Sequence, residues 1–415
     1  MSNSAKNPIH EGTISKTKRL WIAIILGSLS AFGPLSIDMY LPALPNLATD
    51  FQTSPSFVQL SLTCFLLGLS SGQLLAGPLS DIYGRRKPLL IGLITYCMVS
   101  LLCVFSPSIW VFVLLRFLQG LAGAAGIVIS RAVVRDLYVG SELTKFFSLL
   151  ALVNGVAPIM APVLGAQLLR IAPWQGVFVV LSIIGFAMFF IVLFSLPETL
   201  QLERRAKGGV QNTLRTFGSI LSDRSFLGYA LSQGMVFSAM FAYISGSPFV
   251  VQNIYGASAQ MFSLIFAING IGIMIASQTT GRLAGRIKEK TLLVTGLGTS
   301  LTGGIFLLIA LLLHASLYIV LFPLFFVVAS VGMVNTAGFS LAMQKQGKSA
   351  GSASALLGVI SLALGGIVAP LVGLGGEQSA IPMGAIIVTL GVGAVLSYVF
   401  LVRKSETSYE NSISQ

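Results

Sequence analysis

The chain has 415 residues, a formal net charge of +12 and a mean hydropathy of +0.89. Hydrophobic residues make up 55% of it and charged residues only 9%, whereas charged residues are roughly a quarter of an average soluble domain. A chain with so little charge cannot cover a water-facing surface, so the composition excludes a soluble globular fold. It predicts an all-α membrane protein, because the hydrophobic segments lack the strict alternation of barrel strands.

Long runs without Asp, Glu, Lys or Arg indicate where the membrane helices lie. Two of these runs, 225–281 and 291–344, are long enough for a pair of helices each. Six others fit one helix of about 20 apolar residues each. These single-helix runs are 51–80, 88–115, 146–169, 171–197, 349–376 and 378–402.

Two more predicted helices contain one charged residue each. Residues 20–41 include Asp38, and residues 109–131 include Arg116. They bring the predicted count to twelve transmembrane helices, which the longest hydrophilic loop divides into two six-helix bundles. The predicted organisation is an N-terminal tail, a first bundle, a central loop, a second bundle and a C-terminal tail, at 1–19, 20–196, 197–225, 226–402 and 403–415.

The distribution of basic residues predicts the orientation in the membrane. If both termini are cytoplasmic, 23 of the 25 Lys and Arg residues lie on the cytoplasmic side. Arg170 then lies on the other side and Arg116 lies within the membrane. This agrees with the positive-inside rule. The positive net charge is therefore a sign of topology, and we expect the chain to bind no nucleic acid.

Four segments resemble motifs of the major facilitator superfamily. Gly77–Lys87 (GPLSDIYGRRK) is similar to the loop motif after the second helix, and Gly281–Lys288 looks like a reduced copy with Gly285 in place of the aspartate. Arg116–Gly123 (RFLQGLAG) resembles a fourth-helix signature of proton-coupled members. Ala161–Ala166 (APVLGA) is similar to the antiporter motif of the fifth helix. The resemblance implies the superfamily's two-bundle fold, built by duplication.

The first helix carries a more specific resemblance. Ser36–Pro45 (SIDMYLPALP) and Ser245–Val250 (SGSPFV) look like segments of the bicyclomycin/chloramphenicol-resistance (Bcr/CflA) drug exporters. This implies a drug/proton antiporter of the bacterial inner membrane that exports small antimicrobials, such as bicyclomycin- or chloramphenicol-type compounds, by alternating access. We expect a multi-pass monomer in the lipid bilayer that is not an enzyme, is driven by the proton gradient and needs no cofactor or metal.

Asp38 and Arg116 are the candidate residues for proton coupling. Asp38 is the only acidic residue in the predicted spans, so it is either a proton carrier in an apolar cavity or a structural residue near the outer end of its helix. Arg116 keeps its proton, so it either bonds structurally to an acid or to backbone carbonyls, or it takes part in coupling. The sequence leaves open whether the two side chains touch.

The other candidate residues form three groups. A cytoplasmic gate, implied by the loop motif and the inner end of the fourth helix, would contain Gly77, Asp81, Gly84, Arg85, Arg86, Arg135 and Asp136. Soft and polar side chains adapt to varied ligands, although at helical spacing they also serve as packing. The candidates for a substrate cavity are Tyr40, Gln119, Met235, Phe237, Met240, Phe241, Tyr243, Asn269 and Asn335. The antiporter-motif helix contributes Pro158, Pro162 and Gly165.

Two other functions on the same fold remain alternatives. One is a proton-coupled exporter of a metabolite such as an amino acid, and the other is a proton-coupled symporter. Uptake of sugars or peptides needs more polar and charged groups than these helices offer, which disfavours the symporter. No phosphate-binding loop is present, so ATP is not expected to drive transport.

Overall fold

The computed structural model describes residues 16–138, 140–205, 217–344, 346, 350–376 and 378–403, and within these ranges the protein is helical without a β-strand. The first half of the chain contains α1 (Lys16–Ser30), α2 (Phe32–Asp38), α3 (Leu44–Asp50), α4 (Pro55–Tyr83), α5 (Arg86–Val104), α6 (Ile109–Leu137), α7 (Gly140–Leu168) and α8 (Gln175–Ser195). The second half contains α9 (Arg224–Pro248), α10 (Ala259–Leu283), α11 (Glu289–Leu312), α12 (Leu317–Met343), α13 (Ala350–Val372) and α14 (Ile381–Ser397).

Most of the predicted spans are present as single helices. Among the described residues, ten helices are long and apolar enough to cross a membrane, namely α4 to α6 and α8 to α14. The bent pair formed by 21–30 and 32–50 supplies an eleventh candidate. The apolar part of α7, Leu152–Leu168, is shorter than the about 20 residues a span needs. The chain is therefore a multi-pass membrane protein, and the exact count of twelve stays a prediction.

The first predicted span, 20–41, is not one continuous helix. It breaks between α1 and α2, where the two segments meet at 41°. The break follows from Pro34, which has no N–H to donate to the carbonyl of Ser30 and whose ring clashes with that carbonyl. After Asp38, a short 3₁₀ turn at Leu41–Ala43 leads into α3. Asp38 consequently lies at the end of a short helix of seven residues.

Asp81 of the loop motif lies on a helix rather than in a loop. The helix α4 runs beyond its charge-free stretch to Tyr83, so Asp81 is helical, and the turn is confined to Gly84 and Arg85. Gly84 has φ +88°, a conformation that favours glycine, and Gly285 after α10 has φ +86°. Gly285, which the sequence aligns with Asp81, thus has the backbone conformation of Gly84. The second copy of the motif turns earlier than the first.

The two ends of the helix assembly carry different loops. At one end, which we call the Trp174 end, lie the segments 39–54, 105–108, 169–174, 249–258 and 313–316. At the other, the Arg85 end, lie 84–85, 196–205 and 284–288. Trp174 itself packs against Phe51, Phe112 and Phe178, and its indole Nε1 donates to Asp50 at 2.8 Å.

Glycines allow α4 and α6 to touch through their backbones. A Cβ built at Gly68 would overlap the carbonyl oxygen of Phe117, and one built at Gly120 would overlap that of Phe65. Gly72 is similarly close to the carbonyl of Leu121. Close packing of this kind is the usual role of small residues between membrane helices. The glycines of these two helices are therefore packing residues.

Substitution of Gly120 by Ala is expected to destabilise the transporter by about 1–3 kcal/mol, because overpacking forces the two backbones apart. The measurement is the thermal unfolding temperature of the purified protein in detergent. Gly298→Ala in α11 is the matched control, since a Cβ at Gly298 meets no atom within 4 Å. A normal unfolding temperature for Gly120→Ala would contradict the close contact described above.

Candidate functional site

Arg116 is fully buried in the first half of the chain and no carboxylate of the described residues pairs with it. Its Nη2 donates to the carbonyl oxygen of Ser36 at 2.9 Å, and its Nη1 donates to Oε1 of Gln119. The guanidinium also lies 4.4 Å from the ring centre of Tyr40 and 4.3 Å from that of Phe65. Backbone, amide and aromatic faces therefore take the place of a counter-ion.

The network around Arg116 ties several helices together. Gln119 donates from Nε2 to Oγ of Ser100 at 2.7 Å, and the hydroxyls of Ser36 and Tyr96 lie 2.6 Å apart. The hydroxyl of Tyr40 is 3.0 Å from that of Ser61. Tyr40 and Gln119 are both fully buried, so the structure places them inside this network rather than on an open substrate cavity. Their sequence patterns could not reveal this, because the partners come from distant positions.

Asp38 is buried at the end of α2. It is 4% exposed and makes no hydrogen bond or ion pair with a described residue, Arg116 included. The hydroxyl of Tyr243, on α9, lies within electrostatic range of it. That hydroxyl accepts a hydrogen bond from Nδ2 of Asn269, on α10, at 2.9 Å. An unpaired carboxylate is costly to ionise in such a place.

Tyr243 and Asn269, two residues that the sequence singled out, are bonded to each other near Asp38. Asp38 comes from α2, Tyr243 from α9 and Asn269 from α10, and Tyr243 and Asn269 are at most 3% exposed. Asp38 lies within electrostatic range of Tyr243 and makes no hydrogen bond to it.

The two halves meet along a contact that we call the seam, formed by α4 with α13 and by α7 with α10, together with the turn at 39–43. Six hydrogen bonds between described residues cross it, each from a side chain to a backbone carbonyl. All six lie near the Trp174 end. They run from Ser56 to Pro370, Gln59 to Ser245, Thr63 to Gly366, Gln252 to Pro42, Gln260 to Ala166 and Ser263 to Pro162.

The antiporter-motif helix α7 contributes to this closure. A Cβ at Gly165 would overlap the carbonyl oxygen of Met39, next to Asp38, so α7 touches the backbone there. The carbonyl of Pro162 accepts a hydrogen bond from Ser263 at 2.9 Å. Pro158 is partly exposed, and as a proline inside a helix it favours a bend. Asp38 therefore lies beneath a closed end of the assembly.

Arg85 organises a second polar cluster at the other end. It is 7% exposed and donates from Nε to Asp136 at 2.8 Å and from Nη1 to Asp81 at 2.5 Å. Arg86 instead donates to the carbonyl of Leu193. Among the other predicted gate residues, Arg135 is exposed and makes no hydrogen bond with a described residue. The cluster joins α4 and α6, both in the first half.

Glu198 is a member of this cluster that the sequence reasoning missed. Its carboxylate accepts from the backbone N–H of Arg85 at 2.8 Å, Arg86 at 3.1 Å and Leu200 at 3.0 Å. Burial disfavours the ionised form, but these donors and the nearby Arg205 outweigh it and hold the pKa of Glu198 below its usual value. The one indication of this role in the sequence is that Glu198 directly follows the sixth predicted span.

The remaining candidates are dispersed over the second half. Met235 packs towards α14, where the hydroxyl of Ser397 lies 3.8 Å from its sulfur. Phe237 is half-buried and contacts the buried Phe241, with ring centres 5.2 Å apart. Met240 and Asn335 are also half-buried. In the described part of the chain, no three His, Cys, Asp or Glu side chains come close enough to hold a metal ion.

Comparison with known proteins identifies the family. A family model described as Major Facilitator Superfamily matches residues 20–370. The chain belongs to the major facilitator superfamily. This superfamily member is therefore a membrane transporter and not an enzyme.

Relatives of known sequence share most of their length with this transporter. It is 48% identical over 389 residues to a Bacillus subtilis protein named uncharacterized MFS-type transporter YdgK, covering 93% of this chain and 96% of that one. It is 31% identical over 396 residues to a bicyclomycin resistance protein homolog of Haemophilus influenzae, covering 94% and 99%. Identity to the multidrug resistance protein MdtL of Salmonella paratyphi C is 29% over 326 residues, covering 79% and 81%.

Solved structures of the superfamily share the fold. The xylose transporter XylE of E. coli in a partially occluded inward open conformation matches with a TM-score of 0.74 at 15% identity, over 93% of this chain and 98% of XylE. A bacterial homolog of the human lysosomal transporter Spinster, in an inward-facing and occupied conformation, matches with a TM-score of 0.74 at 16% identity, over 95% and 98%. At such identities the likeness shows the fold alone.

Substitution of Glu198 by Gln is expected to loosen the loop at Gly84–Arg86, because the charge that strengthens three backbone hydrogen bonds is lost. Hydrogen exchange of the Arg85, Arg86 and Leu200 amides at pH 7 measures this. A carboxylate whose pKa is lowered by folding stabilises the folded form above its unfolded pKa of about 4.3. That contribution is lost as the pH falls through the lower, folded value.

The matched control is Glu203→Gln, which removes an exposed acid from the same linker. After correction for intrinsic exchange, the amide protection of wild type and control should fall on acidification. The protection in Glu198→Gln should already be lower at pH 7 and should change less with pH. Equal protection in all three proteins would contradict the role of Glu198.

Proposed function

We propose that this transporter is a proton-coupled drug exporter of the Bcr/CflA type in the bacterial inner membrane. Two six-helix bundles with twelve spans and cytoplasmic termini would alternate between inward-facing and outward-facing forms. The observation that carries the proposal is Asp38, a buried carboxylate near the seam that has no hydrogen-bond or ion-pair partner among the described residues. The names of the Haemophilus and Salmonella relatives support a drug as the cargo.

With cytoplasmic termini, Asp38 would lie on the path of incoming protons. The positive-inside rule puts the Trp174 end in the periplasm, because the basic residues gather at the Arg85 end. The six seam bonds then close the periplasmic side. Asp81 is about half exposed and bonds to Arg85 of its own half. We take this to be the inward-facing form, with the cytoplasmic latch of Asp81 released.

Proton and drug would use opposite forms of the transporter. When the seam opens to the periplasm, water reaches Asp38 and protonates it as the drug departs. When the seam closes again, the neutral carboxyl enters an apolar site without the cost of burying a charge. Before the seam opens again, the proton would leave Asp38 towards the cytoplasm and a drug would load from the cytoplasm. The cycle exchanges one inward proton for one outward drug.

The energy of one proton is sufficient for useful export. A charge crossing 100 mV gains about 2.3 kcal/mol, so a potential of about 120 mV supplies roughly 2.8 kcal/mol. For one-to-one exchange of a neutral drug, this supports a gradient of about a hundredfold. A metabolite such as an amino acid would bring its own charges, and Arg116 is enclosed by protein and offers no open site for a carboxylate.

Arg116 would hold the coupling site in place. Its bond to the carbonyl of Ser36 fixes α2 two residues before Asp38. In this proposal Arg116 positions the proton carrier and does not itself carry the proton.

Substitution of Asp38 by Asn is expected to abolish proton-driven export while binding of a neutral drug persists, because the amide resembles the protonated acid in shape and charge. Bicyclomycin transport in proteoliposomes with an imposed pH gradient is the measurement, alongside equilibrium binding. Export should fall to the level of empty liposomes, and drug-induced proton release should disappear.

Asp50→Asn is the matched control, since Asp50 lies on α3 of the same segment and an asparagine oxygen can still accept from Trp174. It should transport at close to the wild-type rate. Gradient-driven export by Asp38→Asn at the wild-type rate would move the proton site elsewhere and overturn the coupling mechanism.

A further inference from the structure

An apolar groove lies between α1, α7 and α8 in the first half of the chain. Its cavity has a volume of about 470 Å³. Among the ten described residues that line it, Ser28 is the one with a polar side chain. Ile24 and Ala187 belong to the lining and are exposed, so the groove opens on the outer side of the helix assembly, which faces lipid. Its occupant has to be apolar, because an apolar cavity does not hold water.

The groove results from small side chains and from the way α8 packs. The helix α1 contributes Ala23, Gly27 and Ala31 to the wall. A Cβ at Gly27 would lie 3.1 Å from Cγ2 of Val153, so α1 and α7 are in contact at one side of the groove. The helix α8 packs chiefly on α5 and makes little contact with α1 and α7. The space between the three helices is therefore a consequence of the fold.

The length of the groove matches one leaflet of a bilayer. From Ala23 on α1 to Leu35 on α2 it extends over twelve residues, which is about 18 Å of helix. The hydrocarbon layer of one leaflet is about 15 Å deep, half of the whole core. Trp21, an exposed residue of the type that lies at membrane surfaces, precedes the groove by two residues. The groove thus begins below the headgroups and ends near the middle of the bilayer.

The helix that begins this groove starts with a basic turn. The first four residues of α1 include Lys16, Lys18 and Arg19, and Ala23 follows Arg19 by one turn. This turn lies at the Arg85 end, because the chain passes from α1 through the bend to the segment 39–54 at the Trp174 end. Basic residues beside a membrane surface attract anionic lipids. An apolar groove next to a basic turn is complementary to a molecule that joins an anionic headgroup to an acyl chain.

We propose that the groove binds an anionic phospholipid of the leaflet at the Arg85 end, with one acyl chain between α1, α7 and α8 and its phosphate at the first turn of α1. A drug is a poorer occupant, because drug sites fix their ligands with several placed polar groups and this groove offers Ser28 alone. The lipid is a bound component of the protein and not its cargo. The proposal is independent of the transported substrate and of proton coupling.

The two parts of the site contribute differently to binding. Lipid tails are as apolar as the groove, so the acyl chain gains only van der Waals packing there. The headgroup provides the discrimination between lipids, since each Lys or Arg near the surface strengthens binding of an anionic lipid about fivefold. Phosphatidylglycerol should therefore bind at least about tenfold more tightly than phosphatidylcholine with the same acyl chains.

The test measures the affinity of the first bound lipid by native mass spectrometry of the whole transporter in detergent. Dioleoyl-phosphatidylglycerol and dioleoyl-phosphatidylcholine are added in separate titrations. When Lys16→Gln, Lys18→Gln and Arg19→Gln are combined, the preference for phosphatidylglycerol should disappear. Ala187→Phe fills the groove from its exposed side, so both lipids should bind about fivefold more weakly while the preference remains.

Each test has a matched control. Arg282→Gln, Arg286→Gln and Lys288→Gln combined remove three exposed charges from the same end of the protein, and the preference should stay as in wild type. Ile183→Phe places the same ring at an exposed position of α8 outside the groove, and both lipids should bind as in wild type. The unfolding temperature without lipid checks that each variant is folded, and Ala187→Leu replaces Ala187→Phe if that variant is not.

Two results would overturn the proposal. Equal affinity of the wild type for the two lipids would show that the basic turn does not bind a headgroup. Equal losses in the test and control variants would mean that the lipid belongs to the unspecific layer around the protein and that the groove is not a site.

Discussion

A guanidinium that cannot lose its charge, placed where water is scarce, has to be stabilised by protein groups. Arg116 meets this constraint by donating a hydrogen bond to a carbonyl at the end of a helix. The carbonyl of Ser36 is among the last four of α2, which have no partner within their helix, and Arg116 donates to it. A cation at this position also interacts favourably with the helix dipole. The break at Pro34 and the end at Asp38 are therefore what make a site for Arg116. In return, Arg116 fixes the segment that carries the carboxylate.

The seam has the properties of a contact that opens and closes. Its six hydrogen bonds are neutral, and each contributes about 0.5–1.5 kcal/mol. One of the acceptors is freed by a proline: Pro370 has no N–H for the carbonyl of Gly366, which accepts from Thr63 at 2.6 Å instead. No ion pair between described residues crosses the seam, so its opening exposes no charged pair.

Several features could be predicted from the sequence because they depend on local composition. The spans follow from apolar length, and the charged end of α4 follows from the motif at Gly77–Lys87. The break in the first span could also have been predicted, because Pro34 lies in its middle. A search for hydrophobic runs alone does not detect such a bend. In the same way, the candidates Asp38, Tyr243 and Asn269 could be named from residue type.

Other features depend on contacts between distant positions, which a single sequence does not contain. Tyr40 and Gln119 have the character of cavity residues, yet the charge of Arg116 draws them into a buried network. Glu198 looks like one more loop acid in the sequence. Its role depends on the N–H groups of Arg85 and Arg86, which follow the turn at Gly84, and on that of Leu200 in its own segment. The same holds for Oε1 of Gln233, which has no hydrogen-bond partner among the described residues: the sequence shows an amide and not its surroundings.

The helix α9 reaches from the surroundings of Asp38 to the seam. It carries Tyr243, which lies within electrostatic range of Asp38, and the carbonyl of Ser245 that accepts from Gln59 across the seam at 2.9 Å. In the proposed cycle, opening of the seam breaks this bond, and protonation of Asp38 changes the charge that α9 meets there. A drug and a proton can therefore be coupled without touching each other. Coupling needs only that each ligand prefer a different arrangement of the two halves, which is the condition for exchange transport.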